Sequence, residues 1–225
     1  MAADQSPPLD HYVLALSWEP AFCQFNMDKP ECRALGDGDF AATHLSIHGL
    51  WPDLRESKRL RYCGVDEHLE LMDQRNRWCE LPEPQLSAET RAALDTAMPG
   101  ARSCLDRHEW TEHGTCSGLD AEGYFATTLR LAKAVQTSAL GDLLAASVGQ
   151  KVQRRKLIEA FEASFGPAGG SALTLLCAKD RLVELRITLQ PSAVDGELDA
   201  ADLRPTAGGT RGSCPATVLI DANGP

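Results

Sequence analysis

The chain has 225 residues and a formal net charge of −10 at pH 7. That length can bury a substantial core, and an ordinary composition without low-complexity runs excludes a disordered chain. No apolar run reaches membrane-spanning length. The acidic balance excludes a broad phosphate-binding face that holds nucleic acid by charge alone, so a polyanionic ligand would be held locally and briefly.

Eight cysteines are scattered along the chain: Cys23, Cys32, Cys63, Cys79, Cys104, Cys116, Cys177 and Cys214. None forms a CxxC pair, which argues against a zinc ribbon or a thioredoxin-type site. Their even number and wide spacing point to four disulfides and an oxidising compartment rather than to eight buried thiols. The opening Met1 to Pro8 has no apolar segment of signal-peptide type. It reads as a mature terminus behind an added Met or as a native start, and the cysteines favour the first.

In chain order, His11 to Trp18 reads as a strand, ended by Pro20. Cys23 to Cys32 encloses a short loop, and Gly36-Asp37-Gly38-Asp39 is a turn. Thr43 to His48 alternates, placing His44, Ser46 and His48 on one face and Leu45 and Ile47 on the other. Gly49-Leu50-Trp51-Pro52-Asp53 is expected to break that strand and leave His48 at its end. Residues 54–85 are polar and irregular. Ser87 caps a helix running to about Met98.

Ser103 to His113 lacks Gly and Pro and allows a helix. On it Glu109 and His113 are four apart and share a face, as do His108 and Glu112. Each imidazole then has a carboxylate one turn away, which orients the ring and favours its cation. Tyr124 to Gln136, Leu140 to Val148 and Val152 to Phe165 read as helices, the last with the apolar stripe Leu157, Ile158, Phe161 and Phe165. Leu173 to Cys177 and Arg181 to Leu189 form a hairpin, Ala207-Gly208-Gly209 is loop, and Ala216 to Ile220 is a final strand. Strands at both ends with helices between imply one α+β domain over 1–225, built on a central, mostly antiparallel sheet.

Three histidines and a carboxylate, with no evident serine or cysteine nucleophile, suit cleavage of a phosphodiester by its own 2′-hydroxyl. A base takes the hydroxyl proton, an acid protonates the leaving 5′-oxygen, and imidazole serves both near neutrality. A further cation stabilises the phosphoryl oxygens. RNA carries the nucleophile, so neither metal nor cofactor is required.

His48-Gly49-Leu50-Trp51-Pro52 and His108-Glu109-Trp110-Thr111-Glu112-His113-Gly114-Thr115-Cys116 resemble the two active-site segments of the ribonuclease T2 family, closer to its bacterial periplasmic branch. The similarity extends from Tyr12 to Cys214. It implies an α+β fold and cleavage of single-stranded RNA through a 2′,3′-cyclic phosphate to 3′-phosphate ends, without metal. His113 would be the base, His48 the acid, and His108 the phosphate ligand. Glu109 would orient or polarise at the phosphoryl group, and Trp51 and Asp53 would contact one base. The resemblance also implies bridges Cys63–Cys116 and Cys177–Cys214. Cys23–Cys32 would close the local loop, which leaves Cys79 with Cys104. It further implies a monomer without a membrane partner, periplasmic or secreted after removal of a signal peptide.

One position departs. The family usually has Lys before the second helix histidine, and this chain has Glu112. Either this carboxylate, one turn from His108, holds that ring protonated so that His108 supplies the missing charge, or it points to solvent and catalysis is weaker. Outside the motifs, His44 is expected to be a satisfied, partly buried residue. His11 and His68 are expected at the surface, and Trp18, Trp78 and Trp110 in the core. A zinc enzyme is the first rival, but its helix histidines would be four apart rather than five. A non-catalytic RNA-binding protein is the second, and it would not need an acid–base pair.

Overall fold

The computed structural model describes residues 9–54, 60–206 and 212–224. The loop expected at Ala207-Gly208-Gly209 and the opening Met1 to Pro8 lie outside them. The strands are β1 (His11–Ser17), β2 (Ser46–Asp53), β3 (Gln150–Gln153), β4 (Leu173–Ala178), β5 (Arg181–Leu189) and β6 (Thr217–Ile220). The helices are α1 (Glu19–Cys23), α2 (Pro30–Ala34), α3 (Glu67–Gln74), α4 (Ala88–Ala97), α5 (Leu105–Glu112), α6 (Ala121–Gln136), α7 (Ala139–Ala146), α8 (Arg154–Phe165) and α9 (Gly169–Ala172). Among the described residues the strands make one six-stranded sheet in the order β2-β1-β5-β6-β3, with β4 also paired to β5. Pairing is antiparallel except for the parallel contact of Arg181 with Leu219 between β5 and β6.

Alternation explains β5. Leu185, Ile187 and Leu189 are fully buried, while Glu184, Arg186 and Thr188 sit half-buried on the opposite face. Leu14 and Leu16 of β1, Leu50 of β2, Tyr124, Phe125 and Leu131 of α6, and Phe161 of α8 complete the core beneath. Helix α6 packs across β1 and β2, and the Tyr124 hydroxyl donates to the Leu50 carbonyl at 2.9 Å. That helix starts at Ala121, three residues before the expected Tyr124. The Asp120 carboxylate accepts the Gly123 N–H and caps it there. Val152, expected in α8, belongs to β3 and pairs with Val218.

Strand β2 differs from the sequence expectation in a way that matters for the site. It does not break at Gly49 but runs on to Asp53, its Pro52 tolerated because β2 is an edge strand. Ala15 faces Gly49 and Leu16 faces Ile47, so His48 has no opposite number. It is the extra residue of a β-bulge in mid-strand, a device that re-aims a side chain. The stretch 54–85 is also less irregular than expected. It carries α3, whose N-cap Asp66 accepts the His68 N–H, and a 3-10 turn at Trp78–Glu80.

The cysteines form Cys23–Cys32, Cys63–Cys116, Cys79–Cys104 and Cys177–Cys214. Among the described residues no helix is long and apolar enough to cross a membrane.

Candidate active site

Helix α5 and strand β2 meet at Gly49. A Cβ on that glycine would sit 1.9 Å from Glu109 Oε2, so only glycine lets the strand pass the buried carboxylate. Glu109 is fully buried. Its Oε2 accepts the Trp51 indole N–H at 2.8 Å. Its Oε1 has no hydrogen-bond partner among the described residues and lies 3.7 Å from His48 Nε2 and 4.0 Å from His108 Nε2. Burial raises the Glu109 carboxyl above its ordinary range, against the charges of His48 and His108.

His48 Nδ1 bonds Glu184 Oε2 at 2.6 Å. Burial alone would lower its pKa; the Glu184 bond and the charges of Glu109 and Glu184 outweigh it, and the net direction is up. Burial alone would raise Glu184, but His48 and Arg186 hold it below the ordinary carboxylate range. Arg186 Nε donates to Glu184 Oε1 at 2.6 Å, and its guanidinium lies 4.8 Å from the Trp51 ring centroid.

The Trp51 indole stands beside two of the site's imidazoles, 5.1 Å from His48 and 5.6 Å from His113 between centroids. His113 is the C-cap of α5, where the helix gives way to the 3-10 turn Gly114–Cys116. Glu112 lies between the two helix histidines, with Oε2 3.6 Å from His108 Nε2 and Oε1 3.7 Å from His113 Nε2. The expected pairing of His108 with Glu112 across one turn is present. Glu109 shares the face of His113 as expected, within 4.8 Å of it, but approaches His48 and His108 more closely, and Glu112 Oε1 lies 3.7 Å from His113 Nε2.

Several residues at the site carried no readable signal. Asp73 Oδ1 bonds His108 Nδ1 at 2.8 Å, and the single Tyr62 hydroxyl proton lies between Asp73 Oδ2 at 2.8 Å and Glu112 Oε2 at 3.2 Å, nearer Asp73. Arg61 Nε lies 2.9 Å from Glu112 Oε1. Trp78, expected in the core, instead stacks on His108 at 4.4 Å with 18° between planes. The turn that carries it is tied by Cys79 to Cys104, which brings the indole to the ring. Trp18 is buried as expected. His44 bonds Thr43 and the Phe40 carbonyl and stacks on Phe40, away from these groups.

Two hollows flank the histidines. One, of about 220 Å³, is lined by His48, Glu184, Glu19, Trp78 and Leu105. The other, of about 230 Å³, is lined by Trp51, Asp53, His113 and Arg186. At these histidines, among the described residues, two trios could offer a cation one donor atom each within 4.8 Å of one another: His108, Glu109 and His113, and Asp73, His108 and Glu112. His108 belongs to both.

The family model of the Ribonuclease T2 family matches residues 9–195. Over 100% of this chain and 90% of the relative, the sequence is 37% identical to Ribonuclease I of Escherichia coli strain K12. It is 26% identical to Ribonuclease 1 of Arabidopsis thaliana over 65% of this chain and 59% of that protein. The fold is similar to ribonuclease MC1 from the seeds of bitter gourd, with TM-score 0.57 and 21% identity over 93% of this chain and 99% of that one. It is similar also to RNase NT in complex with 5′-AMP, with TM-score 0.56 and 20% identity over 96% of this chain and 99% of that one. By the family match and the full-length likeness together, this chain is a member of the ribonuclease T2 family of endoribonucleases.

Proposed function

We propose that the chain cuts single-stranded RNA by transphosphorylation, with His48 and His113 as the acid–base pair. His113 takes the 2′-hydroxyl proton, the 2′-oxygen bonds to phosphorus, and the P–O5′ bond breaks as His48 protonates the leaving oxygen. The resulting 2′,3′-cyclic phosphate is opened by water with the roles exchanged, giving a 3′-phosphate. The observation that carries this reading is the convergence of β2 and α5. It brings His48 and His108 within 4 Å of one buried carboxylate, Glu109, with Trp51 beside His48 and His113.

His108 binds the phosphate, and Glu109 orients both Nε2 atoms toward it. Glu112 supports the cationic form of His108, in the place where the family usually carries Lys. Burial would discharge His108, but Asp73, Glu109 and Glu112 outweigh it and raise its pKa. Trp51 and Asp53 receive one base in the hollow they share with His113. No step needs a metal or cofactor. A cation at either trio would occupy the ring assigned to phosphate. Four disulfides support a periplasmic or secreted site of action, and we take residues 1–225 as one domain acting as a monomer.

Digestion of a mixed-sequence RNA with chelator present tests the whole reading. Cyclic-phosphate ends maturing to 3′-phosphates are expected, and His48→Ala and His113→Ala should each abolish them. Full activity in either variant, or 5′-phosphate products, overturns it. Glu112→Lys tests the assignment of Glu112: the alkaline limb of the rate profile should move to lower pH. A change in rate alone, with the profile fixed, sinks that assignment.

A further inference from the structure

We propose that Asp73 is a positioning residue of the reaction, fixing the His108 ring through Nδ1 so that a protonated Nε2 faces the scissile phosphate. This rests on the RNA-cleaving reading above. Nothing in the two active-site motifs contains Asp73; it arrives from α3, 35 residues before His108.

The geometry distinguishes Asp73 from the other carboxylates near that ring. Glu112 and Glu109, both on the histidine's own helix, approach Nε2 at 3.6 Å and 4.0 Å, beyond hydrogen-bond range. Asp73 alone among the described carboxylates bonds the ring, at 2.8 Å on Nδ1. A carboxylate on Nδ1 selects the tautomer that carries its proton there and stabilises the imidazolium, the part an aspartate plays behind a catalytic histidine. The other groups facing His108 are the stacked Trp78 ring and the His113 ring, 6.1 Å away between centroids. Behind them, Lys29 lies 5.5 Å from the Trp78 centroid and Arg61 is paired to Glu112.

The fold holds Asp73 in an unfavourable place. It sits in the last turn of α3, where the helix dipole disfavours an anion, and it is 2% exposed. Its second oxygen is satisfied by the Tyr62 hydroxyl at 2.8 Å. Tyr62 itself adopts φ 52°, a left-handed conformation that a bulky residue seldom takes. A buried carboxylate and a left-handed backbone residue both support the bond to His108, Tyr62 reaching Glu112 as well, and such costs gather where a side chain must be held for function.

The test is an NMR titration of the His108 ring in the intact chain, without substrate, paired with pH–rate profiles on RNA. In the unsubstituted chain the midpoint should lie above the ordinary value of about 6.5. Asp73→Asn keeps an oxygen for Nδ1–H but removes the charge, and should lower the midpoint by about one unit or more. At pH 7.5, kcat/KM should fall roughly tenfold and recover toward that of the unsubstituted chain at pH 5, where the ring is protonated in both. Such recovery would not follow from mere structural damage. An unmoved midpoint, or an equal loss at every pH, overturns the role of Asp73 while RNA cleavage stands. If Asp73→Asn does not fold, the unsubstituted chain decides: a His108 midpoint at or below the ordinary value overturns it. Failure of the unsubstituted chain to cut RNA overturns the functional reading, and the assigned role with it.

Discussion

His48 is held by two carboxylates of different character. Glu184 is half-buried, hydrogen-bonded at 2.6 Å and itself paired with Arg186. Glu109 is fully buried and reaches Nε2 only at 3.7 Å. Burial works against the charged ring, but the two carboxylates prevail, so His48 keeps its proton above its ordinary pH. The general-acid role proposed for His48 needs that proton, and activity should fall as pH rises through the folded-state value. Glu184→Gln removes the charge while keeping an acceptor. The alkaline limb of kcat/KM should then move about one unit toward acid, leaving the acid limb in place. A profile that drops without moving would show that Glu184 only supports the strand. Gly49→Ala acts on the same centre by contact: its Cβ would fall 1.9 Å from Glu109 Oε2 and 2.7 Å from Trp51 Nε1. Overpacking of this kind costs about 1–3 kcal/mol. Urea denaturation should show that loss, together with a sharp drop in cleavage as the Trp51–Glu109 bond opens.

At the level of elements, α5 is stapled at both ends. Cys104, just before it, holds the Trp78 turn, and Cys116, just after it, holds the segment with Arg61 and Tyr62. The two bridges bring the polar stretch 60–80 against α5 and build a wall around His108. Loop-closure entropy makes Cys63–Cys116, spanning 53 residues, worth about 4 kcal/mol, against about 2.5 kcal/mol for Cys23–Cys32, spanning 9. Replacing the first pair by alanine should therefore lower the denaturation midpoint more, and should also reduce cleavage by releasing Tyr62 from Glu112 and Asp73. Equal effects of the two pairs would contradict this. The same staples explain what the sequence could and could not disclose. β5 and α8 are readable because their apolar spacing follows one period, and His48, His108 and His113 because their motifs are local. Asp73, Tyr62 and Trp78 acquire their places from disulfides and contacts across the fold, which leave no periodic trace. The start of α3 did carry a signal, Asp66 as N-cap before the helix-forming run Glu67 to Met72. The bulge at His48 is a property of pairing with β1 and cannot be seen in β2 by itself.

For the whole molecule, the raised groups of the site and the net charge bear on stability in the same direction, and Glu184 opposes them only at low pH. His48 and His108 are raised from 6.5, so their contribution is complete below that value and is lost as pH rises through their folded values. Glu109 is raised from 4.5, and its contribution likewise fades as pH climbs through its folded value. Glu184 is lowered from 4.5, so its contribution is present above that pH and fails only as pH falls through its lower folded value. Approaching the pI of about 5.0 also relieves the repulsion within a chain that carries −10 at pH 7. Stability should therefore be greatest in mildly acidic solution, and the melting temperature should be higher at pH 5.5 than at pH 8.5. Replacing both His48 and His108 by glutamine should narrow that difference, since two of the groups that produce it no longer titrate. A melting temperature that climbs steadily to pH 8.5, or a difference untouched by the double substitution, would mean that the charges of the site do not govern the pH dependence of the fold.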